Sequence, residues 1–500
     1  MAQMAFCNED DASVDDPTSS ALALTGQVAQ EHSLLPPVER IPTEILDTIF
    51  TIVHESSEYS LTLHEDTEFY SLSLPLSQVC SRWRRIAHSR PSLWASIFID
   101  VGRVRRKTRH IVKLHLGKAG SHPLRIKLYV WPNVLRSTFG SDVLGMIIPE
   151  LQRCEEFVFY GDWLVLAKTA HCDSSFAFPH LQALSMDVPS SAVVETMESV
   201  TPDFRWFSRA LKNAPKLVTV VSPAFVDSEV LPFHQLTTVQ YSNPLEVAQM
   251  ARLLLSCPNL KNLEVSSLRV GFPPPDIVVH SSLRKLTIHP HPDWLVEIAS
   301  PLAQFSLPAL EMFTLKISST DCLDTGLTSA VIATIQCFSA SLRKLVLIVG
   351  SLNIGRTLFR DVLQICPNLY CFGFEVYAIR DTKDDSGSEN GILRLIQDLT
   401  ITDTSQASLA PKLVELCLFE YDSPMRAEYA TAFLDMVESR SGGIGVARLT
   451  DAEFTYTSSK LVAQPELERI DSSVSDSSIA ERIKKLSLKG IRCAIGAIGT

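Results

Sequence analysis

The sequence predicts an α/β protein: a small helical module near the amino terminus followed by an irregular β/α solenoid. Two observations predict that architecture and a third bounds it. Apolar residues recur at helical spacing in two short blocks between Val38 and Asp100. A degenerate strand phrase, L-x-x-L-x-Φ with Φ apolar, returns nine times from about residue 150 onward. A chain of 500 residues, 46% hydrophobic and 20% charged, holds more than one unit.

Residues 1–36 are rich in Asp, Ser, Ala and Gln, lack periodicity and lead into Pro36-Pro37, which reads as a disordered lead-in. The start has neither a basic region nor a long apolar run, so no secretory signal is expected, and no apolar run is long enough for a bilayer anchor. The formal charge of -11 argues against a general nucleic-acid binder. Eleven cysteines without a C-x-x-C pair suggest reduced thiols in the cytoplasm or nucleus. No cofactor, nucleic-acid or membrane partner is expected.

The helical module spans 38–98. Ile45, Leu46, Ile49, Phe50 and Val53 recur at helical spacing, and Pro42 suits a first helical turn. Leu76, Val79, Cys80, Trp83 and Ala87 form a second stripe, with Arg82, Arg84 and Arg85 largely off it, so one further helix with a basic outer face is expected. Pro91 breaks the pattern, Leu93 and Trp94 add bulk, and Ile97-Phe98-Ile99 reads as a strand. Between the blocks, His54 to Ser73 is polar and acidic and reads as a surface loop; such length is cheap, about 0.6 kcal/mol per doubling. A helical unit of about fifty residues cannot bury this much apolar surface by itself, so a partner is predicted.

In order and residue type, the opening Ile41-Pro42-Thr43-Glu44-Ile45-Leu46, the core Val79-Cys80-Ser81-Arg82-Trp83-Arg84 and the ending Leu93-Trp94 resemble an F-box. Ile41 stands where that family usually has leucine. The resemblance implies docking on the Skp-type adaptor, and through it a cullin, of a ubiquitin ligase. The chain would be a non-catalytic subunit whose remainder selects the target protein. It also implies an adaptor-binding set: Ile41, Pro42, Ile45, Leu46, Ile49, Phe50, Val79, Cys80, Trp83, Leu93 and Trp94. Trp83 is the candidate for internal packing; for the others, core and contact remain equal alternatives.

Residues 99–149 read as a connecting helix and first strand. Gly102 to Gly120 is basic and best read as a solvated helix face, and Leu124 to Val130 alternates as a half-buried strand does. The repeat phrase then begins at Leu181, Leu217, Leu236, Leu260, Leu283, Leu310, Leu342, Leu369 and Leu413. Two pairs of copies are near-duplicates: Cys257-Pro258-Asn259-Leu260 with Cys366-Pro367-Asn368-Leu369, and Ser282-Leu283-Arg284-Lys285-Leu286 with Ser341-Leu342-Arg343-Lys344-Leu345. Such units must stack to close a core. From 150 to 450 they resemble leucine-rich repeats, although the standard asparagine is missing and first-leucine spacings run from 19 to 44. The resemblance implies a target-binding strand face with flanking loops, of which 380–390 is the most polar.

Residues 451–500 read as a capping segment, with Ile483, Leu486 and Leu488 closing the stack after a loose Ser-rich acidic stretch. No catalytic or phosphate-cradling motif is present. His289-Pro290-His291 reads as a rigid turn rather than a metal site, and Cys80, Cys257 and Cys366 as packed residues rather than nucleophiles. The rival to a ligase adaptor is a stand-alone interaction scaffold whose F-box-like part has lost its partner.

Overall fold

The computed structural model describes residues 40–63, 69–130, 138–161, 176–187, 205–222, 231–271, 276–290, 292–317, 325–349, 358–377, 391–401, 409–421, 427–441, 446–457 and 477–497. They divide into two compact units, one running to Phe98 with His110–His122, the other formed by Ile99–Arg109 and the chain from Pro123 onward. The expected lead-in, the 380–390 loop, His291 and Ser472 to Ser475 lie outside the described residues.

In the first unit, α1 (Thr43–Glu55) begins directly behind Pro42, whose carbonyl accepts the Leu46 N–H at 3.1 Å. Glu44 in its first turn complements the helix dipole. An antiparallel hairpin follows, β1 (Leu61–Leu63) and β2 (Tyr70–Ser71), with Leu61 opposite Ser71. Then come α2 (Ser73–Gln78), α3 (Ser81–His88), a 3-10 turn over Pro91–Trp94 and β3 (Ser96–Asp100).

Two expectations are corrected here. The single helix expected through Leu76 and Ala87 is two helices, because Cys80 is extended at φ -157 and caps α3, its Sγ accepting the Trp83 N–H at 3.5 Å. Helical spacing cannot reveal a break when both halves present the same face. The expected loop over His54 to Ser73 contains the hairpin, and Tyr59, Leu61 and Leu63 in it are buried. Alternating Leu61 and Leu63 place both apolar side chains on one strand face.

The chain continues through α4 (Arg106–Ala119), β4 (Leu124–Val130), α5 (Thr138–Glu150), β5 (Cys154–Gly161), β6 (Ala183–Asp187), α6 (Arg205–Lys212), β7 (Thr219–Ser222) and β8 (Thr238–Glu246). Next are α7 (Val247–Ser256), β9 (Asn262–Arg269), β10 (Val278–Val279), β11 (Lys285–Ile288), α8 (Pro292–Leu302), β12 (Phe305–Ser306), β13 (Met312–Ile317), α9 (Thr325–Gln336) and β14 (Lys344–Val349). The last are α10 (Leu358–Ile365), β15 (Cys371–Tyr377), α11 (Gly391–Leu399), β16 (Glu415–Tyr421), α12 (Ala427–Arg440), β17 (Asp451–Thr457), α13 (Ser477–Leu488) and β18 (Arg492–Ala497).

From β4 to β18 the second unit is one long parallel sheet whose strands follow chain order, except that β10 and β12 form a short pair of their own. Register explains the repeat phrase. Val220, Val239, Leu263, Leu286, Phe313, Leu345, Phe372 and Leu416 lie in one lateral row. Two residues further along, Tyr241, Val265, Ile288, Leu315, Leu347, Phe374 and Leu418 form a second row on the same face, and every member of both rows is at most 1% exposed. Each large side chain so buried contributes about 1.5–3 kcal/mol.

The strand entrances also repeat. The carbonyls of Gln182, Val218, Thr237, Lys261, Arg284, Glu311, Arg343, Tyr370 and Val414 each accept two consecutive N–H groups from the start of the next strand. Asn259 and Asn368, equivalent in the near-duplicate copies, each donate to a carbonyl of the preceding corner, His234 at 2.7 Å and Ala340 at 3.2 Å. Beside them Cys257 and Cys366 are buried, which pushes both thiols up to about 12 and leaves them protonated. Residues 451–500, expected as a cap, contribute β17 and β18 to the sheet, and of the expected capping residues Leu486 is buried while Leu488 is 81% exposed.

Candidate functional site

The sequence-predicted set falls on the first unit, and α1 sorts it into two faces. Leu46 and Phe50, four residues apart, are buried at 0% and 1% exposure. Ile45, Ile49 and Ile52 occupy a second face at 51%, 38% and 59%. Spacings of four and three residues put these isoleucines in one stripe about 10 Å long. Pro42 at the head of the helix is exposed too, and so is Val79 between α2 and α3.

The buried side is held by specific contacts. The Phe50 and Trp83 rings meet edge to face at 5.0 Å. Trp94 donates its indole N–H to the Ala87 carbonyl at 2.8 Å and lies 5.0 Å from the His115 ring. His115 is itself fully buried, with Nε2 3.1 Å from Ser71 Oγ. Burial holds its pKa down to about 4, with the Trp94 backbone pulling weakly the other way, so the ring is neutral at pH 7. Arg82 donates to Thr43 Oγ1 at 3.0 Å, and Arg90 pairs with Asp47, so two arginines tie α1 to the segment that follows.

The structure sorts the expected adaptor-binding set by burial. Leu46, Phe50, Leu93 and Trp94 are core residues, because a side chain 0–3% exposed has no surface to offer a partner. Ile41, Cys80 and Trp83 are half-buried, and Trp83 packs inward on Phe50. Pro42, Ile45, Ile49 and Val79 are outward. Sequence reasoning missed Ile52, three residues beyond Ile49 on the same face, and His115, which lies in a segment singled out only for its charge.

The stripe of Ile45, Ile49 and Ile52 carries no nucleophile and no titratable group, and covering each isoleucine is worth on the order of 1–2 kcal/mol. Among the described residues, no group of three or more His, Cys, Asp or Glu side chains converges to hold a metal ion. None of the described helices is long and apolar enough to cross a membrane. On the second unit, His289 is half-buried with its Nε2 3.9 Å from Glu264; burial and then Lys316 hold its pKa down to about 4.

Residues 38–100 match the F-box-like family model. No curated protein matches the chain. Among solved structures, a Bacteroides fragilis protein from a structural-genomics programme is 13% identical with a TM-score of 0.23, and the match covers 64% of this chain and 66% of that one.

Proposed function

We propose that this chain is the target-recognition adaptor of a cullin-RING ubiquitin ligase of the Skp-cullin-F-box type. F-box domains in general dock on Skp-type adaptors, and residues 38–100 are F-box-like. The observation that carries the reading is the unpartnered stripe Ile45, Ile49 and Ile52 on that domain, flanked by Pro42 and Val79 as further contact residues. Leu46, Phe50, Leu93 and Trp94 support the stripe from beneath. The chain-ordered parallel strands with intervening helices are read as a leucine-rich-repeat-like solenoid whose strand face holds the target protein. Ubiquitin transfer belongs to other subunits. This chain contributes placement, raising the local concentration of target beside the conjugating enzyme, in the cytoplasm or nucleus. Against the stand-alone scaffold stands the packing of the hairpin: Leu61 and Leu63 point into the core while the α1 stripe stays open.

The test is co-expression of the full chain with a Skp-type adaptor. The wild-type chain is expected to co-purify, and Ile45→Asp/Ile49→Asp to lose the adaptor with unchanged circular dichroism and melting. A folded wild-type chain that retains no adaptor sinks the reading.

A further inference from the structure

The near-duplicate motifs at 282–286 and 341–345 do more than build strands. Each places an Arg-Lys pair at a strand entrance: Arg284-Lys285 opens β11 and Arg343-Lys344 opens β14. Register aligns them. Lys285 is opposite Met312 and Met312 is opposite Lys344, so the lysines share one lateral row with a single strand between them. The two pairs are therefore two strand spacings apart, roughly 10 Å. The arginines align one residue earlier, where the Arg284, Glu311 and Arg343 carbonyls repeat the same doubled acceptance.

Beside the second pair lies a groove of about 800 Å³, lined by Arg343, Lys344, Lys412, Tyr370, Glu311 and Glu415 among others. That volume is typical of sites that take a ligand. Its charges are not balanced internally. Glu311 is engaged by Arg284 at 3.7 Å, and Lys412 donates to the Asn368 side-chain oxygen at 2.7 Å. Arg343 and Lys344 have no ion-pair partner among the described residues. Tyr370, 45% exposed at the next corner, adds an aromatic wall.

From this juxtaposition we infer that the entrance edge of β11 to β16 binds an acidic peptide segment of a partner protein. Its carboxylates are received by Lys285, Arg343, Lys344 and Lys412, with Arg284 holding Glu311, while its backbone lies along the groove past Tyr370. Arginine presents a fork that meets a carboxylate bidentately, and lysines two strand spacings apart, about 10 Å, match acidic groups three residues apart on a polyproline-II chain, whose side chains return to one face every third residue. A nucleic acid is the disfavoured polyanion, because nucleic-acid binders carry an overall basic surface and this chain carries -11. The inference deepens the adaptor reading by giving the target a chemistry. Its test uses no adaptor, so the two fail separately.

The experiment is fluorescence anisotropy of a labelled twelve-residue Glu/Ser peptide titrated with the purified full chain. The wild type is expected to bind, and to weaken as salt rises from about 50 to about 300 mM, since exposed charges are screened. Arg343→Glu/Lys344→Glu is expected to lose ~10-fold or more in affinity, and Arg343→Lys/Lys344→Arg to stay within ~2-fold. If the charge reversal lowers the melting temperature, Arg343→Gln/Lys344→Gln replaces it and is expected to lose several-fold. The inference is overturned if the wild type does not bind the peptide at low salt, if folded reversal and neutral variants bind like the wild type, or if an RNA of equal length binds more tightly at the same residues.

Discussion

Arg440 shows how far a single side chain can depart from its expected place. It ends α12, where a basic residue suits the helix dipole, yet it is only 1% exposed. Its guanidinium donates to three backbone carbonyls, Leu399 at 3.0 Å, Ala410 at 3.3 Å and Leu409 at 2.5 Å. Burial lowers its pKa only to about 10, so it stays charged. Arg440→Met leaves those carbonyls without their donor and is expected to cost about 3 kcal/mol in urea denaturation of the full chain. His115 makes the second residue-scale prediction. Its folded pKa of about 4 lies below the unfolded value of 6.5, so the fold holds the neutral ring. Stability from this group is complete above pH 6.5 and falls as the pH drops toward 4, by up to ~1.4 kcal/mol per unit and roughly 3 kcal/mol in all. His289 titrates over the same window. The measurement is therefore the slope of stability between pH 7 and 5, which His115→Gln is expected to reduce; an unchanged slope contradicts the assignment. Gly161 completes this scale. At φ +134, a Cβ would sit 1.9 Å from the Val130 carbonyl oxygen, so Gly161→Ala must displace the end of β5 from β4.

At the scale of elements, α1 carries two jobs on two faces. Its apolar spacing was legible in the sequence, but a hydrophobic stripe wide enough to include Ile45, Leu46, Ile49, Phe50 and Ile52 wraps much of the helix. Only the position of the neighbouring elements divides it. Leu46→Ala is expected to cost 2–5 kcal/mol, as core truncations do, while Ile52→Asp is expected to change stability by less than ~0.5 kcal/mol. Adaptor pull-down then reads the opposite order for Ile52→Asp: folded protein, weakened capture. The break between α2 and α3 was not legible, since Cys80 looks apolar and falls on the stripe, whereas its Sγ acts as a helix cap. The β1–β2 hairpin was hidden for a related reason: Glu65, Asp66 and Glu68 between its strands gave the segment an acidic reading, while the leucines that anchor it are few.

For the whole molecule, every strand of the long sheet hydrogen-bonds to strands adjacent in chain order, apart from the skipped short pair β10 and β12. Interior strands such as β9, β11 and β13 have a neighbour on each side, whereas β18 has one. Hydrogen exchange is therefore expected to show the strongest protection between β9 and β15 and the weakest in β18. Leu286→Ala, which opens space in the buried row, is expected to lower protection in β9, β11 and β13 while leaving β17 and β18 near their wild-type rates. A uniform loss along the sheet contradicts this, because it requires one cooperative unit rather than neighbour-limited packing.

The sequence by itself determined the buried rows of the long sheet, the entrance motifs that repeat along it and the helical spacing of the amino-terminal module. These are written in local patterns: Leu263 and Val265 share one face of β9 because strand geometry alternates, whatever the rest of the chain does. Tertiary structure decided which isoleucines of α1 stay outside, that Cys80 caps a helix, and that His115 and Arg440 are buried. It also decided that two Arg-Lys pairs 59 residues apart in the chain stand two strands apart. Burial and proximity depend on what packs against a residue, and distant segments supply that.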